Sequence, residues 1–432
     1  TYTGFHALSN WGVIQDHGLF LLSLYFNRED WQALAIRRLD KNIHHAVFRD
    51  GSQFEQSPMY HCEVLHCVAN TVLLARQNHI DLPKRFVEKV RKMFLALHTW
   101  TKPNGYLFCQ SDSDEIMAGD LLMCGALLYQ EETLAYRAQG ELFEQNYWYF
   151  GLQAETLLAS LPTMQGVTSQ ALTDSGNYLL LANEKHETGY VRFHLGRLGG
   201  GHGHVDQLHI SAGIKGGDCL IDSGRYTYVE NSTRLQLKEA SAHNLVRIDG
   251  EDFTEVLNSW GFGKRAVPLP AKHVYTEKVD YVHGAHLGYL HKGIVPVRKL
   301  VFVKEANLLF IMDLFYGEGE HLYEQFWQIG NRNYHLHEHT IYLEGNDASC
   351  SLHFLDKDVD ITVNPSLYSL RYNELLDGKR VCVSRTTAGF YCMPTILSLN
   401  TSSRVSPIQW EEHDVLSTLS DIPLSRDKVR GY

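Results

Sequence analysis

The stretch GYVRFHL, residues 189–195, is where the chain changes from one type of secondary structure to another. Along it, Tyr, Arg and His alternate with Val, Phe and Leu, and a period of two residues predicts a β-strand. Residues 1–155 show no such alternation, and their apolar residues recur every three or four positions. A helical first part and a β-rich second part together predict an α+β multidomain protein.

The helical part contains three strongly periodic segments. In Arg85–His98 and in Cys62–Arg76 the apolar side chains fall on one face of a helix. Asp120–Tyr129 is a third apolar segment, and Asp120 is predicted to be its N-cap. We therefore expect residues 1–155 to form a domain of packed helical hairpins.

The second part has the period of strands separated by Gly, Asn and Asp turns. Residues 156–175 are predicted to be a linker, because Pro162 and Gly166 interrupt the pattern there. Residues 176–432 are predicted to form an antiparallel β-sandwich domain. Its further predicted strands are Asp206–Ala212, Cys219–Asp222, Val297–Val303 and Leu308–Leu314.

Composition excludes some classes of partner. With 39 basic and 50 acidic residues the net charge is −11, which argues against nucleic acid as the main partner. The longest apolar run, Gly18–Phe26, is too short to span a bilayer, so no membrane partner is expected. The eight cysteines contain no CxxC pair and most lie in apolar stretches, which favours a reducing, cytoplasmic location. Because the chain begins at Thr1 without Met, we expect a missing N-terminal part, and a periplasmic or secreted location stays open.

The glycine-rich segment GGGHGHVDQ, residues 199–207, is the first candidate for chemistry. Its glycines allow close approach of the backbone and leave two histidines uncovered. His204, Asp222 and His243 could supply three ligands to a tetrahedral Zn²⁺ and leave the fourth position to water. The alternative is that these three are hydrogen-bonded polar residues at strand ends.

The polar segment Asp50–His61 is the second candidate, since it is rich in groups that can hydrogen-bond a sugar. Tyr60 lies where a helix begins, and the positive end of the helix dipole would favour its phenolate. Such a tyrosine could serve as an acid–base group. The alternative is an ordinary loop that leads into a helix and ends in a capping tyrosine.

Two shorter segments carry weaker signals. Asn10 precedes an apolar helix, so its side chain could cap that helix or face the carboxylate of a ligand. Ser111–Glu115 is an acidic turn before a helix, and we expect a solvated cap there rather than a site.

These segments, in their order along the chain, resemble the heparinase II/III-like lyase superfamily, which includes heparin-sulfate lyases and several alginate lyases. The resemblance covers roughly residues 8 to 250 and implies an incomplete α/α toroid followed by a layered antiparallel β-sandwich. The matching segments are Asp50–His61, Ser111–Asp114, Gly201–Asp206, Ile221–Tyr228 and Ala242–Gly250.

The resemblance also implies roles for individual residues. Asn10 would neutralise the carboxylate of a uronate, and Tyr60 and His202 would be the catalytic tyrosine and histidine. Tyr228 lies near a second active-site tyrosine of the family. The residues implied to hold a structural zinc ion are His204, Asp222 and His243, and those expected to bind substrate are Gln56, His61, Arg234 and Lys238.

The sequence departs from the family pattern at two positions. Trp11 follows Asn10 where the alginate-lyase branch has histidine, which favours the heparinase III-like branch. Lys238 stands where many relatives have arginine, so the charge is kept but the two-pronged hydrogen-bonding geometry of arginine is lost.

The function implied is a polysaccharide lyase that cleaves a uronate-containing glycan, such as heparan sulfate, hyaluronan or chondroitin, by β-elimination. A lyase acting on alginate or on another bacterial uronate polysaccharide is the nearest alternative. A metal-dependent glycan hydrolase that uses water on the His204 group, or a carbohydrate-binding protein without activity, also stays open. In each case the expected partner is an acidic polysaccharide or oligosaccharide.

Overall fold

The computed structural model describes residues 9–164, 166–182, 189–214, 216–345 and 349–399. Its first part is helical, as predicted. The helices are Asn10–Tyr25 (α1), Glu29–Ala46 (α2), Pro58–Gln77 (α3), Lys84–Thr99 (α4), Gly119–Tyr129 (α5), Glu132–Arg137 (α6), Glu144–Phe150 (α7) and Gln153–Ala159 (α8). α1 packs on both α2 and α3, α3 packs on α4, α4 on α5 and α5 on α6, and their apolar faces share one core.

The start of α3 positions one of the candidate catalytic residues. Ser57 is the N-cap, its hydroxyl accepts a hydrogen bond from the backbone N–H of Tyr60 at 3.5 Å, and Pro58 occupies the first turn. At the start of α5 the prediction of Asp120 as N-cap is wrong, because Ala118 is the N-cap and Asp120 lies inside the first turn. A carboxylate there still interacts favourably with the positive end of the helix.

The boundary between the two domains differs in detail from the prediction. The last helix of the first domain ends at Ala159 and the first strand begins at Gln170. The segment that joins them is therefore shorter than the predicted linker 156–175. Proline and glycine obscure the periodic pattern in the neighbouring helix and strand, so the pattern alone makes the linker look longer than it is.

The second domain consists of antiparallel sheets. A five-stranded sheet has the chain order β1–β5, in which Gly189–His194, the stretch with the clear alternation, is the central strand β3. Its strands are Gln170–Leu172 (β1), Asn177–Leu181 (β2), Gly189–His194 (β3), His209–Ile214 (β4) and Gly217–Leu220 (β5). The predicted strand at 206–212 begins only at His209, because the backbone N–H of His209 closes a turn onto the carbonyl of Asp206.

The remaining strands form a four-stranded and an eight-stranded sheet. They are Val246–Ile248 (β6), Lys272–Tyr275 (β7), Val279–Ala285 (β8), Val295–Val303 (β9), Leu308–Tyr316 (β10), Glu320–Gly330 (β11), Asn333–His337 (β12), Thr340–Glu344 (β13), Cys350–Phe354 (β14), Asp360–Tyr368 (β15), Leu376–Ala388 (β16) and Tyr391–Ser398 (β17). The four-stranded sheet has the order β15-β16-β11-β6, and the larger one β12-β13-β14-β17-β10-β9-β8-β7. Phe193, Phe302 and Trp327, one from each sheet, belong to the same buried core.

Hydrogen bonds join the two domains at more than one place. Asp50 accepts from the backbone N–H of Ser175 at 2.8 Å, and the amide of Gln56 accepts from Asn177 at 3.0 Å. Elsewhere the ammonium of Lys102 donates to Asp218 at 2.7 Å. The bonds of Asp50 and Gln56 hold the loop that precedes α3 against the first strands of the sandwich.

Two predictions from composition can be compared with the described residues. None of the described helices is long and apolar enough to cross a bilayer. All eight cysteines lie in described segments and are free thiols. The cytoplasmic location inferred from them stays a prediction.

Candidate active site

Tyr60 and His202 come together where the two domains meet. Tyr60 lies in the first turn of α3, and His202 ends a 3₁₀ turn, Gly200–His202, in the glycine-rich loop of the sandwich. Their rings stack with centroids 3.8 Å apart and an interplanar angle of 27°. A residue of each domain therefore contributes to the same site.

Tyr228 completes the group of aromatic side chains. Its hydroxyl lies 2.6 Å from the hydroxyl of Tyr60. Arg225 donates to the same Tyr228 hydroxyl at 2.5 Å and holds the carboxylate of Asp114 with two bonds of 2.6 and 2.7 Å. Because the oxygen of Tyr228 accepts from Arg225, its own proton is free to be donated to Tyr60. Arg225 is not among the residues predicted from the sequence.

Asp112 is a buried carboxylate that orients the histidines of the site through hydrogen bonds. It is fully buried and accepts hydrogen bonds from Nδ1 of His202 at 3.1 Å and from Nε2 of His204 at 2.9 Å. The guanidinium of Arg234 donates to both of its oxygens at 2.5 and 2.8 Å. The prediction of a solvated turn at Ser111–Glu115 is therefore wrong. The only signal that could have corrected it was the family match of this turn.

These hydrogen bonds determine the protonation of the histidines. Burial alone would raise the pKa of Asp112, but the hydrogen bonds from His202 and His204 and the charge of Arg234 outweigh it and hold the pKa well below its usual range. The carboxylate can only accept, so Nδ1 of His202 carries a proton. In a neutral imidazole, Nε2 of His202 is then left with a lone pair and can act as a base.

Burial also determines the state of the two tyrosines. It raises the pKa of Tyr60 and, together with the charge of Asp112, it raises the pKa of Tyr228 further. The pKa of Tyr60 is therefore shifted in the direction opposite to that expected from the helix dipole, and the main cause is the loss of hydration at this site. Both hydroxyls are protonated at neutral pH.

His204, Asp222 and His243 lie together behind this group. All three are buried, and one potential ligand atom of each lies within 4.8 Å of the other two. Nδ1 of His204 and Nε2 of His243 have no hydrogen-bond partner among the described residues. Burial lowers the pKa of His204 to about 3, so it is neutral. With Nε2 held by Asp112, its free Nδ1 lone pair suits a metal ion, and the three residues fit Zn²⁺.

The sequence matches two family descriptions that together cover most of the chain. Residues 2–123 match the Heparinase II/III N-terminus, and residues 165–411 match Heparinase II/III-like, C-terminal. The chain belongs to the heparinase II/III-like family. No curated protein sequence matches it.

Solved structures of this fold support the same placement. The heparan sulfate lyase HepC from Pedobacter heparinus is 17% identical with a TM-score of 0.76, covering 91% of this chain and 60% of its own. A heparinase III, the BT4657 gene product, is 16% identical with a TM-score of 0.78, covering 93% and 61%. The chondroitin AC lyase of Streptomyces coelicolor A3 is 10% identical with a TM-score of 0.56, covering 94% and 62%.

These likenesses confirm the predicted fold, an incomplete α/α toroid followed by an antiparallel β-sandwich. The chain spans about 60% of the length of the first two solved relatives.

The four residues predicted to bind substrate are all buried in this heparinase II/III-like chain, which does not fit direct contact with a glycan. Gln56 bonds to Asn177, and Nε2 of His61 lies 2.9 Å from the carbonyl of Met93. Arg234 is engaged by Asp112, as described above. The ammonium of Lys238 donates to the carbonyls of Gly201 and Ser259, both at 2.9 Å. These polar side chains support the active-site loops, because a folded interior requires partners for every buried polar group.

Asn10 is the first residue of α1, and Ser9 is its N-cap, so the reading of Asn10 as N-cap is wrong. Its side chain is buried, and its amide oxygen accepts a hydrogen bond from the backbone N–H of Trp11 at 2.9 Å. The role of Asn10 toward a carboxylate stays a prediction.

Proposed function

We propose that this chain is a polysaccharide lyase that cleaves a uronate-containing glycan by β-elimination. The observation that supports this most strongly is the stacked pair of Tyr60 and His202 at the junction of the domains. The bond from Nδ1 of His202 to Asp112 directs Nε2 toward the role of a base, and the raised pKa of Tyr60 suits an acid. A single group of this kind can contribute about 10²- to 10⁴-fold to a rate.

The reaction removes the C5 proton of the uronate and expels the glycosidic oxygen at C4, so that a C4–C5 double bond forms. Nε2 of His202 would accept the C5 proton, with Asp112 stabilising the imidazolium that results. Tyr60 would donate its proton to the leaving oxygen, and the hydroxyl of Tyr228 could then return a proton to it. Asn10 would bind the carboxylate, whose charge opposes removal of the C5 proton. Asn10 is 7% exposed, whereas the four residues excluded above are at most 1% exposed.

The proposed substrate is a glycosaminoglycan. The solved relatives include proteins described as a heparan sulfate lyase and as a chondroitin AC lyase in complex with chondroitin sulphate. Heparan sulfate is the first choice because the relatives of higher TM-score carry that description or the name heparinase III. An alginate lyase is the alternative for the same chemistry.

We further propose that His204, Asp222 and His243 hold a structural zinc ion. Their complete burial and the hydrogen bond from His204 to Asp112 support a role in fixing the loop that carries His202. A metal-dependent hydrolase would instead need an open coordination position that faces the substrate.

The test of the function is a panel of heparan sulfate, chondroitin, hyaluronan and alginate, followed by the ultraviolet absorbance of the unsaturated uronate. A hydrolase produces no such chromophore. Tyr60→Phe should reduce the rate by at least about 100-fold with an unchanged circular dichroism spectrum. Tyr129→Phe is the matched control, because this tyrosine packs inside the helical domain and donates to the carbonyl of Val87. A near-normal rate for Tyr60→Phe would remove the basis of the proposal.

A further inference from the structure

Trp260 is a half-exposed aromatic residue that touches both sandwich-domain residues of the proposed site. Its side chain is 48% exposed. Its ring lies 4.8 Å from that of Tyr228 at 30°, and 5.3 Å from that of His202 at 81°. A single exposed apolar residue needs no explanation by itself. This one, however, lies against two residues of the proposed active site.

The turn that carries Trp260 is held rigidly. The carboxamide oxygen of Asn258 accepts from the backbone N–H groups of Trp260 at 2.9 Å and of Gly261 at 2.7 Å. The carbonyl of Ser259 accepts from the buried ammonium of Lys238 at 2.9 Å. A buried cation that binds a turn at this point fixes the indole ring relative to the catalytic loop, whose Gly201 carbonyl binds the same ammonium.

Gly201 of the glycine-rich loop leaves room for the indole ring of Trp260. A Cβ atom at Gly201 would lie 3.2 Å from Cε3 of Trp260, so a larger residue there would press on the ring. A second exposed aromatic residue, Tyr372, is 41% exposed, and its ring lies 5.5 Å from that of Tyr228. Trp260 and Tyr372 therefore extend the aromatic surface that begins at the catalytic tyrosines.

The two arginines near the site are already paired with carboxylates, so binding of a sugar ring depends on the aromatic surface. Arg225 is engaged by Asp114 and Arg234 by Asp112, so neither guanidinium is free for a sugar. The C–H faces of a pyranose ring pack well on a flat aromatic ring, which also has low conformational freedom to lose.

We propose that Trp260 binds the sugar ring next to the cleaved bond by stacking, an inference that rests on the proposed lyase function. Trp260 then determines affinity for the glycan, and the acid and base determine the rate of the chemical step.

The first test is the equilibrium binding of a heparan sulfate hexasaccharide, measured by calorimetry in a Tyr60→Phe background so that the ligand is not consumed. Adding Trp260→Ala should weaken binding about tenfold, and Trp260→Phe should recover most of the loss. Trp148→Ala is the matched control, because this tryptophan on α7 is 77% exposed and its indole N–H donates to Glu144. It should leave the affinity unchanged.

The second test separates binding from support of the neighbouring catalytic rings. In the otherwise unaltered enzyme, Trp260→Ala should raise KM by about tenfold with a much smaller change in kcat. A fall in kcat with unchanged affinity would overturn the proposal and make Trp260 a structural neighbour of His202. If the alanine variant does not fold, Trp260→Leu decides in the same way, because it keeps an apolar side chain without a flat face.

The two proposals fail in different ways. If an unsaturated product forms but Trp260→Ala leaves hexasaccharide affinity unchanged, stacking is wrong and the lyase function stands. If no unsaturated product forms from any glycan but Trp260→Ala weakens binding, the sugar site stands and the lyase function is wrong.

Discussion

Asp112 shows how one buried carboxylate can serve two parts of a site at once. It accepts from His202 of the catalytic pair and from His204 of the metal-ligand group, and its own charge is balanced by Arg234. The histidine that would move a proton and the histidine that would hold a metal therefore share one orienting partner. Displacement of this carboxylate would disturb both.

Asp112→Asn should therefore impair both activity and stability. The amide has one accepting oxygen instead of two and cannot offset the buried charge of Arg234. We expect a rate loss of at least about 100-fold and a loss of about 3–5 kcal/mol in the free energy of unfolding. Steady-state kinetics and urea unfolding measure the two effects.

Asp30→Asn is the control for this change, since Asp30 forms an exposed, solvent-screened ion pair with Arg28 and its loss should leave activity and stability nearly unchanged. Equal effects of the two substitutions would contradict the role of Asp112.

The raised pKa of Tyr60 predicts its behaviour in alkali. An ordinary tyrosine ionises near pH 10, and burial moves the folded-state pKa above that value. The folded protein therefore keeps this proton when the unfolded chain has lost it, so the contribution of Tyr60 to stability is complete below about pH 10 and declines above it.

Ultraviolet titration of tyrosinate in the protein and in Tyr60→Phe gives the titration of this residue by difference. The difference signal should develop only above about pH 10. A transition below about pH 9 would show a phenolate-stabilising site and would reopen the assignment of Tyr60 as the acid.

At the scale of elements, the glycine-rich loop is held by close backbone contact with the loop before α3. A Cβ atom at Gly199 would lie 1.9 Å from the carbonyl oxygen of Glu55, a distance that the two backbones cannot accept without moving apart. The glycines of this loop thus set the distance between the element that carries His202 and the one that carries Tyr60.

Gly199→Ala should separate these two loops. We expect a loss of about 1–3 kcal/mol in the free energy of unfolding from the imposed contact, and a fall in kcat because the stacked pair is pulled apart. Thermal unfolding and kinetics measure these effects.

The matched control is Gly18→Ala within α1, where nothing lies within 4 Å of the added Cβ. There alanine should stabilise the helix by up to about 1 kcal/mol. Normal kcat in Gly199→Ala would contradict the positioning role of this contact.

At the scale of the whole molecule, the proposed zinc ion would connect folding to activity. Its three ligands come from the glycine-rich loop, the segment after β5 and the segment before β6, so metal binding would tie these parts of the sandwich together. An ion would also supply a partner to Nδ1 of His204 and Nε2 of His243, which have none among the described residues, so the folded protein should be more stable with the metal than without it.

Removal of the metal with a chelator should lower the thermal midpoint, and activity should decline in parallel with the loss of folded protein. Differential scanning calorimetry and the lyase assay on the same samples make this comparison, and added Zn²⁺ should restore both. An immediate loss of activity at an unchanged thermal midpoint would instead indicate a metal ion that takes part in the chemistry.

The sequence by itself determined the division into a helical and a β domain, because helical and strand periods are local and each is visible within a dozen residues. The resemblance to the family predicted the fold. It also predicted active-site roles for Tyr60, His202 and Tyr228, which the structure brings together. A short motif can identify such residues where the motif itself specifies the conformation of its loop.

The tertiary structure alone decided which polar residues are buried and what they bind. Asp112 is far in sequence from His202 and Arg234, so the local pattern of an acidic turn predicts exposure to solvent although the side chain is buried. For the same reason the sequence predicts Arg234 and Lys238 as cations that bind substrate, whereas their partners lie in distant segments of the protein. Burial depends on contacts between distant segments, and the cost of an unpaired buried charge then dictates which partners those side chains must have.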